Sequence, residues 1–146
     1  MALTPYTLAF AADHAGYLLK QDLISYAQGM GHTILDCGTH GPDAVDYPDI
    51  VPSVVEAVRS GSADYGVLLC GSGIGVSIAA NRHPAIRAAL CHCGLAAELA
   101  RRHDDANILC LGARFIGAEV AKECLHRFLA APFEEGRHAR RVAKLG

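Results

Sequence analysis

The sequence changes its hydrophobic period again and again along its length. A short unbroken apolar run, YTLAFAA at 6–12, gives way to a longer stretch, 15–31. There Leu18, Leu19, Leu23, Tyr26, Ala27 and Met30 recur near helical spacing, and Gly29 and Gly31 mark a stop. The alternation then repeats. Short runs at 32–38, 65–70, 86–92 and 106–114 predict strands, and 48–61, 74–82, 95–104 and 116–131 predict helices. Strands that are apolar at nearly every position are buried on both faces, which requires helices on both sides of a parallel sheet. The expectation is an open, doubly wound α/β fold with five strands. Ligands of such folds gather beyond the carboxyl ends of the strands, which points to Asp13-His14, the loop near Gly38-Thr39, Cys70 to Gly75, His92-Cys93 and Arg114.

A chain of 146 residues has the size of one ordinary domain. No repeat, low-complexity segment or linker divides it, so residues 1–146 are expected to form a single domain. A formal net charge of −2 argues against general affinity for nucleic acid or anionic membranes, so any anion must be met locally. The tail, 133–146, concentrates Arg137, His138, Arg140, Arg141 and Lys144, and Arg137 and Arg141 share a face if the segment is helical. A solvated basic helix is the plain alternative. The first apolar stretch is too short to span a bilayer and lacks a basic leader. Six cysteines with no C-x-x-C spacing then read as reduced thiols, which points to the cytoplasm.

The segment VLLCGSGIGVSIAAN, 67–81, holds the densest chemistry. Glycines at 71, 73 and 75 give G-x-G-x-G. A dinucleotide fingerprint needs its third glycine where Val76 stands, and a P-loop needs Gly-Lys where the chain has Val76-Ser77. What remains is a row of backbone N–H groups at a helix N-terminus, suited to a phosphate or to an oxyanion formed during reaction, or else simply a tight turn. Cys70 sits at the head of that turn, where N–H dipoles favour a thiolate able to act as a base; the alternative is a small buried hydrophobe. The CHC triplet at 91–93 puts its cysteines on one side of a strand and His92 on the other, so no metal site is expected. Asp13 suits a helix cap or a sugar hydroxyl, His14 suits an anion, and His103 in RRHDDAN is either a surface imidazole or a proton shuttle.

Taken in order, DH at 13–14, DYP at 46–48, CGSGIGVSIAAN at 70–81, RRHDDAN at 101–107, LGAR at 111–114 and EGRHARRV at 135–142 resemble the type B ribose-5-phosphate isomerases. That family also includes the galactose-6-phosphate isomerase subunits, and the resemblance covers nearly the whole chain. It implies a Rossmann-like, three-layer α/β/α sandwich with a five-stranded parallel sheet, in a homodimer or tetramer whose active sites are shared between subunits. It also implies a cofactor-free interconversion of ribose 5-phosphate and ribulose 5-phosphate through a cis-enediol, a step of the pentose phosphate pathway. Allose 6-phosphate and galactose 6-phosphate are alternative substrates, and a non-catalytic phosphosugar sensor is the alternative outside enzymes. Carried over, Cys70 resembles the base moving a proton between C2 and C1. The N–H groups of Gly71, Ser72, Gly73, Ile74 and Gly75 resemble the enediolate cradle, with Ser72 where the family commonly has Ser or Thr. His103, assisted by Asp13, resembles the group that opens the furanose ring. His14, Arg137 and Arg141, the last two from the tail, resemble phosphate ligands, and Arg114 and Tyr47 resemble substrate contacts. Asp104 stands where the family usually has Asn, a difference that bears on which sugar is accepted.

Overall fold

The computed structural model describes residues 4–146. Five strands, β1 (Thr7–Ala12), β2 (Thr33–Asp36), β3 (Tyr65–Cys70), β4 (Ala88–Leu90) and β5 (Ile108–Gly112), form one parallel sheet in the order β2-β1-β3-β5-β4. The apolar runs conceal a period of two. Leu8, Phe10, Leu69, Leu109 and Leu111 enter one core, while Ala9, Ala11, Leu68, Ile108 and Cys110 enter the other. The first core is closed by α1 (Tyr17–Gly29), α4 (Gly94–Asp104) and α5 (Ala118–Ala130), and the second by α2 (Val51–Ser60) and α3 (Ile74–Asn81). A short 3-10 turn, Tyr47–Ile50, leads into α2, and α6 (Arg137–Ala143) packs against α4. No helix among the described residues is long and apolar enough to cross a membrane.

The chain leaves β1 toward β2 on one side and leaves β3 toward β4 and β5 on the other, so the loops above β1 and β3 diverge and open a crevice there.

Two expectations are corrected. β4 is only three half-buried residues, not the run 86–92, because it pairs on one side alone; Ile86 and Cys91 still anchor its ends in the two cores. On α1, Leu18 points outward with 76% of its surface exposed, and Lys20 is fully buried in the inner row instead. The cause is an ion pair: Lys20 Nζ donates to Asp36 Oδ1 at 2.5 Å and to the Thr39 carbonyl at 2.8 Å, and Asp36 Oδ1 also accepts the Gly38 N–H. A buried ammonium is tolerable only when paired and hydrogen-bonded in this way. The pair ties α1 to the end of β2, next to the crevice.

His32, just before β2, is buried against Tyr6, whose N–H donates to His32 Nδ1 at 3.0 Å. Burial holds its pKa below the ordinary imidazole value. The unfolded chain therefore binds the proton more readily, so His32 contributes stability that is present above the unfolded-state pKa of about 6.5 and is lost as pH falls through the folded-state value. The urea midpoint is expected to drop as the pH is lowered below about 6.5, and the drop to be shallower in His32→Gln; an unchanged slope in that variant would remove His32 from the account.

Candidate active site

The glycine loop between β3 and α3 is shaped by close backbone contacts. Gly73 has φ +76°, and a Cβ there would also lie 2.5 Å from Leu90 Cδ1 and 2.8 Å from the Leu111 carbonyl carbon. Only glycine meets both conditions. Across from it, a Cβ on Gly112 would fall 2.4 Å from the Ser72 carbonyl oxygen, so the loop lies directly on the end of β5. The turn that results brings the Gly73 N–H to Cys70 Sγ at 3.2 Å, and Ser72 Oγ accepts the Ile74 N–H at 3.1 Å. The N–H groups of Gly71, Ser72 and Gly75 have no protein acceptor among the described residues. They form a cradle of fixed positive dipoles at a helix N-terminus.

Around this loop lies a cavity of about 610 Å³ lined by Asp13, Tyr47, Cys70, Gly71, Ser72, Ile74, Gly75, Ile78, Arg114 and Phe115. Asp13, buried at the end of β1, caps its own turn: Oδ1 accepts the N–H groups of Ala15 and Gly16. Oδ2 has no protein donor among the described residues. The Tyr47 ring lies on Gly75, where any Cβ would come within 2.4 Å of it, and the Arg114 guanidinium lies over Gly71. Beside Asp13, the exposed His14 accepts the Val45 N–H at Nδ1, 3.2 Å away, which leaves Nε2 as its outward donor.

His103, Asp104, Arg137 and Arg141 are not in this cavity. α4 runs antiparallel to the strands, from the carboxyl edge after β4 back to the amino edge before β5, and it delivers its last residues there. Five residues of strand, roughly 16 Å at about 3.3 Å each, separate that edge from Cys70. At the amino edge His103, Asp104, His138, Arg141, Val142 and Leu145 line a second, smaller cavity. Arg137 and Arg141 do share a turn of helix, as their spacing suggests. His103 and His138 stack face to face, with Glu134 beside both. These three offer donor atoms within 4.8 Å of one another. The parallel rings share no in-plane point for a cation, however, and Arg102 Nε already pairs with Glu134 Oε2 at 3.0 Å.

Several of the other cysteines are shifted by burial. It pushes the Cys91 thiol up to about 12 and the Cys124 thiol up to about 11. It also raises Cys37, and it holds the fully enclosed Cys110 well above the ordinary thiol range. The CHC triplet lies in the loop after β4, where Cys91 is buried, Cys93 is exposed and His92 rests edge-on against Phe115.

A profile of the Ribose/Galactose Isomerase family matches residues 8–145. The chain belongs to that family. The solved structure of ribose-5-phosphate isomerase B from Clostridium thermocellum superposes with a TM-score of 0.95 at 46% identity, covering 96% of this chain and 95% of that one. Ribose-5-phosphate isomerase B of Escherichia coli is 41% identical over 135 residues, 92% of this chain and 91% of that protein. The structure of ribose-5-phosphate isomerase B from Mycoplasma genitalium with bound ribulose 5-phosphate has a TM-score of 0.92 at 39% identity, covering 95% and 93%.

In this isomerase-family chain much of RRHDDAN is scaffold. Buried Arg101 stacks on Tyr65 and donates to Asp105 Oδ1 at 2.8 Å and to the Ala106 carbonyl at 2.7 Å. Asp105, at φ +49°, also receives Arg87, and the Asn107 side chain bonds the Arg87 N–H and the Ala85 carbonyl. Sequence reasoning missed these clamps, and it missed Ile78 and Phe115 as cavity walls. A glycine in LGAR placed directly after an apolar run was the signal available for the contact under the loop. Gly112→Ala is expected to destabilise the protein by about 2 kcal/mol, within the overpacking range, as read by urea denaturation. A neutral result would show that the loop can lift without cost.

Proposed function

We propose that this enzyme interconverts ribose 5-phosphate and ribulose 5-phosphate through a cis-enediol, and that two copies of the chain complete each active site. The observation that carries the reading is Cys70: its sulfur accepts the Gly73 N–H at the lip of a cavity that also presents free N–H groups. As a thiolate it takes the C2 proton of the open-chain aldose, becoming a thiol. The electron pair flows into the C1 carbonyl to give an enediolate, a proton passes from the C2 hydroxyl to the C1 oxygen, and the thiol, whose proton exchanges with solvent, delivers a proton to C1 as the carbonyl forms at C2. Charge on the enediolate oxygen faces the cradle of Gly71, Ser72 and Gly75, and loss of one such donor costs about 3–4 kcal/mol in other enzymes.

Ring opening needs a proton shuttle, and His103 has the chemistry for it, with Asp13 assisting at the sugar hydroxyls. Because α4 carries His103 to the far edge of its own sheet, the partner copy is the source of the imidazole that meets Cys70. Exposed Ile74, Ile78 and Phe115 beside the cavity suit burial against that copy. The tail, 133–146, then belongs to the site through Arg137 and Arg141, whose guanidinium forks suit a phosphate. His14 joins them, while Arg114 and Tyr47 hold the sugar. A working thiol also fits the reducing cytoplasm.

The test is turnover of ribose 5-phosphate with no metal or nucleotide added. Cys70→Ala is expected to lower kcat by roughly 10³-fold, within the span of acid–base catalysis, and to stop solvent deuterium entering at C2. Undiminished exchange would remove Cys70 as the base. Mixing inactive Cys70→Ala with inactive His103→Ala is expected to restore up to about a quarter of wild-type activity, because half of the dimers are mixed and each has one intact site. No recovery after subunit exchange would refute the shared site. Asp104→Asn assayed on ribose, allose and galactose phosphates is expected to change the order of preference, and an unchanged order would clear Asp104 of a role in selection.

A further inference from the structure

The strongest unassigned feature is the packing around His103. Its imidazole and that of His138 lie face to face, with centroids 4.3 Å apart and planes within 5°. His138 is buried, with only 7% of its surface exposed, while His103 is half-buried. Glu134 Oε1 stands 3.8 Å from His103 Nε2 and 3.7 Å from His138 Nε2, beside both rings but beyond hydrogen-bond length. The carboxylate is itself held: its Oε2 meets Arg102 Nε at 3.0 Å, and the Glu134 N–H donates to the Arg102 carbonyl at 2.9 Å. Arg102 is in turn tied to Glu98 at 2.8 Å. Burial, with His103, Arg137 and Arg141 nearby, keeps the pKa of His138 below the ordinary imidazole value, against the opposing pull of Glu134. His138 therefore presents a flat, neutral ring to its neighbour near neutral pH. Two imidazolium ions at this spacing would repel each other.

We propose that His138 is a positioning residue for ring opening: its flat ring backs the His103 imidazole and fixes the plane in which His103 meets the furanose oxygen. The inference rests on the isomerase reading and deepens it, because it assigns His138, the histidine of the tail, a task apart from phosphate binding. A ring stacked face to face on His103, with centroids 4.3 Å apart, is a good aromatic backing.

Ribulose 5-phosphate cannot close a five-membered ring, because its 5-hydroxyl carries the phosphate, so proton exchange at its C1 needs Cys70 but no ring opening. That separates the two half-reactions. In His138→Ala, kcat for ribose 5-phosphate is expected to fall roughly 10- to 100-fold, the scale of a misplaced catalytic group, with KM within about twofold. Washout of deuterium from C1 of ribulose 5-phosphate is expected to stay within about twofold of wild type. His138→Phe, which keeps a flat ring in the same place, is expected to recover most of the lost kcat and guards against simple misfolding of the alanine variant. Equal loss of turnover and washout in both variants, or no loss in either, would overturn the proposal. An inactive wild type would instead overturn the isomerase reading.

Discussion

The Ser72 carbonyl occupies the space where any side chain on Gly112 would have to begin, and the geometry of the site descends from that contact. It presses the glycine loop onto β5, a strand buried on both faces and paired on both edges. The loop therefore cannot move without disturbing the sheet. With the loop fixed there, Gly73 must take a left-handed conformation, its N–H turns toward Cys70, and Arg114 emerging from β5 is carried over Gly71. Rigid placement of donors is what makes an oxyanion cradle effective, since dipoles already aligned need no reorganisation when charge appears. A close-packed interior thus fixes the geometry of a surface loop.

The central elements were legible because they obey simple periods. Unbroken apolar runs gave away buried parallel strands, and the six residues from Tyr65 to Cys70 appear as read. Failures came where a tertiary partner overrides composition. Lys20 lies inside because Asp36 and the Thr39 carbonyl await it 16 and 19 residues away, and no local pattern announces that. Leu18 lies outside for the complementary reason: the helix has one inner face and Lys20 occupies a place on it. β4 was overestimated because Ile86 and Cys91 are apolar anchors flanking a strand, not members of it. In RRHDDAN the residues most responsible for local shape, Arg101, Asp105 and Asn107, are polar groups satisfying one another and the backbone, an arrangement that spacing does not encode.

Topology explains the division of the candidate site. A strand delivers its end to one edge of the sheet, and the helix that follows must return to the other edge to start the next parallel strand. Residues at strand ends, such as Asp13, Cys70 and Arg114, therefore collect together. Those at helix ends, such as His103, collect on the opposite side and meet the tail helix there. The arginines of α6 share that second location, which is why a modest overall charge can coexist with a basic patch.

The distribution of sulfur has a consequence for reagents as well as for catalysis. Burial withdraws Cys91, Cys110 and Cys124 from ionisation, and Cys37 in the same direction. An electrophile can therefore select by location: Cys93 is offered to any small alkylating agent on the surface, whereas Cys70 is reached only through the cavity that a phosphorylated sugar would fill. The fold thus makes Cys70 a built-in reporter of occupancy, whose labelling is gated by whatever rests on the glycine loop.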